Sequence, residues 1–238
     1  MVQQRRLRET LVTMATYGTL VTASLVALGP ILWGLGTSFK TSPGVVAMPP
    51  QWFPSPLTLE NYQLILLNSS LPRCFLNSLF VALCGVLLTL AVGCHAGYAA
   101  ARYEFPGKNG LLLLILATAM IPGISIMAPL YVVATRVGLH DTYWILILIY
   151  SAWQVPSIVW LIRGFFESVP RDLEEAAMID GCSRLRAFYQ IVHPIAQPGL
   201  AAAAILVFVY IWNDFLIATA FTISEPMRMM QVGLLISL

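Results

Sequence analysis

The stretch LEEAAMIDGCSRLRAFYQIVHP (residues 173–194) gathers Glu174, Glu175, Asp180, Arg184 and Arg186 between two long apolar runs. The chain around it is 58% hydrophobic and only 10% charged, with a mean hydropathy of +0.80. A soluble domain carries roughly 25% charged residues, so this chain cannot cover itself with a solvated surface. It reads as an integral membrane protein, and the stretch as a polar, helix-forming connection between spans. Asp172, just after Pro170, with Glu175 three residues on, has the pattern of a capping box. Gly181 marks the end of the helix so begun, because glycine adopts the left-handed conformation at little cost. Ser183 is placed to cap a second helix, on which Leu185, Phe188, Tyr189 and Val192 form one apolar stripe. Pro194 ends it. On the first helix Leu173, Ala176, Ala177 and Asp180 are expected to share a face, the alanines admitting close approach of another surface. The pattern therefore predicts two short helices and a glycine elbow, a docking element rather than a passive surface loop.

A span needs about 20 predominantly apolar residues. Five stretches qualify, at about 11–36, 75–101, 111–135, 143–162 and 198–221. The first contains Val21-Thr22-Ala23, a weak cleavage pattern, but its apolar run is about twice the 7–15 residues of a signal core. It is read as a retained span. Orientation follows from lysine and arginine in the flanks. With the N-terminus inside, Arg5, Arg6, Arg8, Arg102, Lys108, Arg163, Arg171, Arg184 and Arg186 face the cytoplasm. Only Lys40, Arg73, Arg136 and Arg228, the rest of the 13 basic residues, face outward. The connection 163–197 is then cytoplasmic. In the outer segment 37–74, five prolines between Pro43 and Pro56 argue against regular structure, and LENYQLILLN (59–68) reads as a short helix at the membrane surface.

Other chemistry is sparse. Cys74, Cys84, Cys94 and Cys182 lie scattered, with neither disulfide nor metal-ligand spacing. The net charge of +2 gives no reason to expect nucleic acid. FPGKNG holds Gly107-Lys108, but the first glycine of a phosphate-binding loop would fall at Arg102, so ATP is not bound by that route. Asp214 is the one acidic residue inside a span, about 24 Å along the fifth helix at 1.5 Å per residue. With Tyr210 and Asn213 it is a candidate for lining a substrate path, the alternative being a structural cap. His95, inside the G-x-x-x-G pattern Gly93–Gly97, reads as an interhelical hydrogen-bonding residue. Trp153, Trp160 and Trp212 read as packing or interface residues. No catalytic set and no metal site stand out.

The order Glu175-Ala176-Ala177, three residues, Gly181, nine residues, then Ile191-Val192-His193-Pro194 resembles the cytoplasmic-loop motif of bacterial ABC importer permeases. His193 stands where that family usually has leucine. ENY (60–62), NSL (77–79), ARYEFPGK (101–108), MIPG (120–123) and WND (212–214) with Phe215 extend the likeness to the carbohydrate, maltose-type group over residues 1–238. The resemblance implies one all-α transmembrane permease domain, a helical bundle of the type I importer class in a prokaryotic inner membrane. It implies a sister permease, two copies of an ATPase that binds ATP and Mg, and an extracytoplasmic sugar-binding protein, with surrounding lipid as the other partner. This chain would then hold no cofactor and perform no catalysis itself. Glu175, Ala176, Ala177, Asp180, Gly181, Ile191 and Pro194 become the ATPase-coupling residues. The resembling permeases have one further span, so a sixth is expected beyond Leu238. An ion- or proton-coupled secondary transporter is the alternative; it would need no large docking loop and would usually carry more charge within its spans. The spans contain no lysine or arginine, which favours a neutral sugar as cargo.

Overall fold

The computed structural model describes residues 2–236. The side chains of residues 1–8 and all of residues 237–238 lie outside the description, and with them the side chains of Arg5, Arg6 and Arg8 and the terminal Leu238. Among the described residues all regular structure is helical. The chain divides into two units, residues 1–69 and 70–238.

The first unit holds α1 (Val2–Ser38), α2 (Ser42–Val45) and α3 (Glu60–Asn68). The short helix expected at 59–68 is α3. The proline-rich segment is not wholly irregular: α2 is a single turn with Pro43 at its start, where a missing N–H removes no helical hydrogen bond.

The second unit runs α4 (Leu71–Arg102), α5 (Lys108–Thr118), α6 (Gly123–Arg136), α7 (Tyr143–Ser168), α8 (Arg171–Ile179) and α9 (Arg184–Ala187). A π-helical turn (Phe188–Val192) leads into α10 (His193–Ile195), α11 (Gln197–Asn213), α12 (Leu216–Phe221) and α13 (Met230–Ile236). Its centre is the α4–α7 pair. A β-carbon at Gly97 would lie 3.3 Å from the Val159 carbonyl oxygen, and one at Gly93 would be 2.8 Å from Ile158. Only glycine lets the two backbones come this close. Ser151 on α7 donates to the Gly85 carbonyl at 3.2 Å, and Val81, Leu146, Ile162, Phe166, Val207 and Phe221 are fully enclosed around the pair.

By length and composition Glu9–Ser38, Leu71–Arg102 and Tyr143–Ser168 can each cross a bilayer; counting each of two bent pairs as one span raises the number to five. Those pairs correct the sequence reading. The span expected at 111–135 is two helices, α5 and α6, turned by 86°. Pro122 disfavours helix at Ile121 and offers no N–H of its own, so the helix cannot run on through it, and α5 already ends at Thr118. The span expected at 198–221 is also divided. The segment Arg184–Ile195 meets α11 at 76°, beside Pro194 and Pro198, and α11 ends at Asn213. The fourth span is longer than expected, continuing to Ser168.

Asp141 holds the turn between α6 and α7 against the segment after α12. Its φ of +59° is a left-handed conformation that aspartate tolerates better than most residues. Its amide donates to the Phe221 carbonyl at 3.1 Å. Its Oδ1 accepts from the amides of Ile223 and Ser224 at 2.9 and 3.1 Å. Partial burial alone would raise the carboxyl pKa. The hydrogen bonds from Ser224 and Ile223 outweigh it and hold the pKa below the ordinary 3.8. A depressed carboxyl stabilises the fold above its unfolded pKa, and that stability is lost as pH falls through the folded value. Asp141→Ala is expected to cost roughly 1–3 kcal/mol, read as a lower thermal midpoint in detergent. Asp141→Asn should lose less, and the gap between wild type and Asp141→Ala should close as the pH is taken below 3.8.

Candidate functional site

The elbow forms as the sequence suggests. The α8 helix stops at Asp180, and Gly181 takes φ +91°. The Cys182 amide donates to the Ala177 carbonyl at 2.9 Å and the Gly181 amide to the Met178 carbonyl at 3.1 Å. These are the two bonds of a Schellman turn. Ser183 then caps α9, its hydroxyl oxygen accepting from the Arg186 amide at 3.3 Å.

Three details differ from expectation. No side chain caps the start of α8; Pro170 occupies that position, and Asp172 and Glu175 form no capping box. Proline supplies a suitable entry angle, and acidic residues in the first turn still complement the positive end of the helix. The faces of α8 are also rotated relative to the expected set. Glu174 and Ala177 turn inward, while Leu173, Ala176, Ile179 and Asp180 are exposed, Ile179 to 85%. The stripe on the second helix divides as well: Phe188 and Val192 are buried with Ala187, whereas Leu185 and Tyr189 are exposed. The π-helical turn at Phe188–Val192 shifts the register of side chains, which a regular 3.6-residue period does not anticipate.

The inward turn of Glu174 has a physical cause at the end of α4. Arg102 is buried there and makes an ion pair through Nε to Glu174 Oε1. The Tyr98 hydroxyl donates to Glu174 Oε2 at 2.7 Å, and Arg102 Nη2 donates to the Val169 carbonyl at 2.9 Å. Arg171 Nη2 reaches the Ala101 carbonyl at 3.3 Å. Both charges thus have a partner and additional hydrogen bonds, the condition under which ions can be buried. The guanidinium of Arg184 lies 5.1 Å from the centre of the Tyr103 ring, bringing the second helix of the elbow to the same helix end.

A second tie lies further along α4. His95 Nδ1 is 2.6 Å from the Ala91 carbonyl, which can only accept, so this nitrogen carries the proton. In the neutral ring Nε2 then accepts from the Tyr189 hydroxyl, 2.8 Å away. His193 packs edge-on against Phe188, with ring centres 6.1 Å apart. These rings and Gln197 line an open groove of about 600 Å³ between α4 and α11.

Of the other candidates, Glu175, Ala176, Asp180 and Gly181 are exposed on the elbow, Ala177 is buried, Ile191 is half-buried and Pro194 is exposed. Asp214 Oδ1 accepts from the amides of Ile217 and Ala218, at 2.9 and 3.3 Å, and from the Tyr150 hydroxyl at 2.9 Å. It therefore caps α12. Asn213 donates back to the Val209 carbonyl at 2.7 Å, and Tyr210 lies one turn before Asp214. The tryptophans pack. Trp160 Nε1 donates to the Leu112 carbonyl at 3.1 Å, Trp212 lies between Phe75 and Phe208, and Trp153 fits against Gly123 beside an apolar cavity of about 420 Å³.

The Arg102–Glu174 tie makes a double-mutant test direct. Glu174→Leu leaves a guanidinium buried without its counter-charge, at a cost of about 3–5 kcal/mol. Removing both charges, as Arg102→Met with Glu174→Leu, should recover much of that loss. Thermal unfolding of the two single variants and the double variant measures the coupling; strictly additive losses would count against it.

Residues 90–237 match the family model for the binding-protein-dependent transport system inner membrane component. The chain is similar to the sulfoquinovosyl glycerol transport system permease protein SmoH of Agrobacterium fabrum, with 37% identity over 87% of this chain and 73% of that protein. It is also 37% identical to the trehalose transport system permease protein SugB of Mycobacterium tuberculosis, over 89% of this chain and 77% of that one. With the trehalose/maltose permease protein MalG of Thermococcus litoralis it shares 34% identity over 89% and 76% of the two chains. Its fold resembles a chain of a bacterial ABC transporter involved in import of the acidic polysaccharide alginate. The TM-score is 0.80 over 93% of this chain and 78% of that one, at 23% identity, a likeness of fold alone. The chain is a member of the binding-protein-dependent transport system inner membrane component family.

Proposed function

We propose that this chain is a permease subunit of an ATP-driven importer that carries a carbohydrate across the cytoplasmic membrane. The observation that carries the reading is the two-sided elbow. Its inner side, through Glu174 and Ala177, is fixed to the end of a membrane helix; its outer side presents Leu173, Ala176, Ile179 and Asp180 unburied. Such an element is suited to receive a partner and pass on its movement. In this reading the elbow faces the cytoplasm, the N-terminus lies on the same side, and two copies of an ATPase bind ATP and Mg there. A sister permease completes the pore, and an extracytoplasmic binding protein delivers the sugar.

Glu175, Ala176, Asp180 and Gly181 then form the outward contact with the ATPase. Ala177 acts from beneath, where a larger side chain would lift α8 away from the body. Ile191 and Pro194 hold the far end of the loop before α11. Relatives named for trehalose and maltose support a sugar as cargo. A neutral sugar is the narrower proposal, because the apolar stretches 75–101, 111–135, 143–162 and 198–221 hold no lysine or arginine and the arginines fall at their ends. Tyr210, Asn213 and Asp214 are proposed to border the path, with Asp214 also serving as the α12 cap.

Gly181→Val tests the coupling role. A β-branched residue at this φ costs about 1–3 kcal/mol locally, at a tip where a β-carbon would meet nothing within 4 Å. Membrane insertion should persist, while transport and transport-linked ATP hydrolysis in the reconstituted complex fall roughly tenfold or more. Wild-type rates at normal expression would refute the role. Vesicles carrying the wild-type complex should import neutral sugars saturably and ignore sugar phosphates; the reverse preference would refute the proposed cargo while leaving the coupling role intact.

A further inference from the structure

We propose that the loop between α1 and α3, residues 41–59, is a lipid-contacting collar lying in the headgroup interface of the bilayer, with Met48, Trp52 and Phe53 as its anchors. The proposal rests on α1 being a membrane span and is independent of which side it emerges on.

Three observations support this depth for the loop. First, it folds back along the end of the span. The edge of Trp52 meets Trp33 with ring centres 5.1 Å apart. Trp33 lies five residues before Ser38, the last residue of the apolar helix, and so about 7.5 Å inside its end at 1.5 Å per residue. At about 45 Å the helix Glu9–Ser38 is long enough to reach through the headgroup layers as well as the hydrocarbon, so Trp52 lies level with its last turns, at the depth of the headgroups. The return is held by Thr58, whose amide donates to the Phe39 carbonyl at 3.0 Å. Asn61 Nδ2 donates to the carbonyls of both Ser38 and Lys40.

Second, what the loop exposes is apolar. Met48 is 95% exposed, Phe53 84% and Trp52 76%. From Thr41 to Leu59 there is no charged residue. In water such a surface would be a liability; at the interface, tryptophan is a usual anchor and phenylalanine dips into the acyl boundary. The nearest charge, Lys40, has its ammonium 4.2 Å from the centre of the Trp33 ring and 3.4 Å from Thr37 Oγ1. That is a cation held at the rim of a span, its stem covered by the loop.

Third, the backbone sets a lower limit. An irregular segment cannot enter the hydrocarbon with open N–H and C=O groups. Most of this loop lacks a regular ladder, which keeps it among the headgroups. Its five prolines have no N–H to satisfy, easing residence in a partly dehydrated layer.

The test uses the full chain in phosphatidylcholine–phosphatidylglycerol vesicles, with Cys74, Cys84, Cys94 and Cys182 replaced by alanine. An environment-sensitive NBD fluorophore is placed in turn through Met48→Cys and Phe53→Cys, both at exposed positions. Leu25→Cys, inside α1, reports the span, and Glu60→Cys reports water. At 48 and 53 the emission should shift to the blue relative to position 60. It should be quenched by lipid carrying a doxyl group near the headgroup and spared by iodide on both sides. Quenching by iodide would overturn the proposal, as would protection from both quenchers, which would mean a protein partner covers the loop. If label at position 25 also fails to meet lipid, the span itself is misread and the proposal falls with it. If only positions 48 and 53 fail, the collar alone is wrong.

Discussion

A chain that crosses a bilayer has no water to complete its backbone hydrogen bonds, so every interruption of a helix must be answered by the protein itself. This constraint organises the second unit. At Asp214 the backbone leaves α11, and one carboxylate oxygen meets the first free amides of α12 while Tyr150 meets the carboxylate. At Asp141, outside the spans, the same device joins two connections distant in sequence. Where α5 gives way to α6, the residue at the corner is a proline with no amide to satisfy. Breaks are placed where an acceptor or a missing donor makes them tolerable.

The same economy governs charge. Arg102 and Glu174 are ions in an apolar body, and neither would be stable there alone. Tyr98 and the Val169 carbonyl take up further hydrogen-bonding capacity of the pair, so the polar cluster is closed on itself. A network of this kind adds little net stability over an apolar core, but it specifies one arrangement of the elbow against α4. The close α4–α7 approach at Gly93 and Gly97 gives that arrangement a firm base.

Much of this was legible in the residues. Apolar run length located the three long helices, and Gly181 and Ser183 announced the turn and the cap they form. Motif order indicated the family before any fold was in view. What the sequence concealed was relational. Glu174 looks like a neighbour of Glu175 until Arg102, 72 residues earlier, is seen beside it. Arg102 itself registered only as a positive charge in a flank. Hydropathy sums apolar residues across a bend, so it joined α5 to α6 and ran past Asp214. Periodicity assumes an α-helix, so it missed the π-helical turn at Phe188–Val192. In each case the deciding partner is remote, or the departure from regular geometry leaves no periodic trace.

The attachment of α8 also has a mechanical meaning. It is fastened at Glu174, near its beginning, while its free tip at Ile179 stands about 7.5 Å further along the axis. The fastening is to the last residue of α4, an unbroken rod of 32 residues and about 48 Å. A load on the tip therefore acts through a short arm about a stiff polar pivot and is delivered to the end of a long beam. Because α4 is seated against α7 at Gly93 and Gly97, a tilt of the arm would be shared by the α4–α7 pair and not carried by one helix alone.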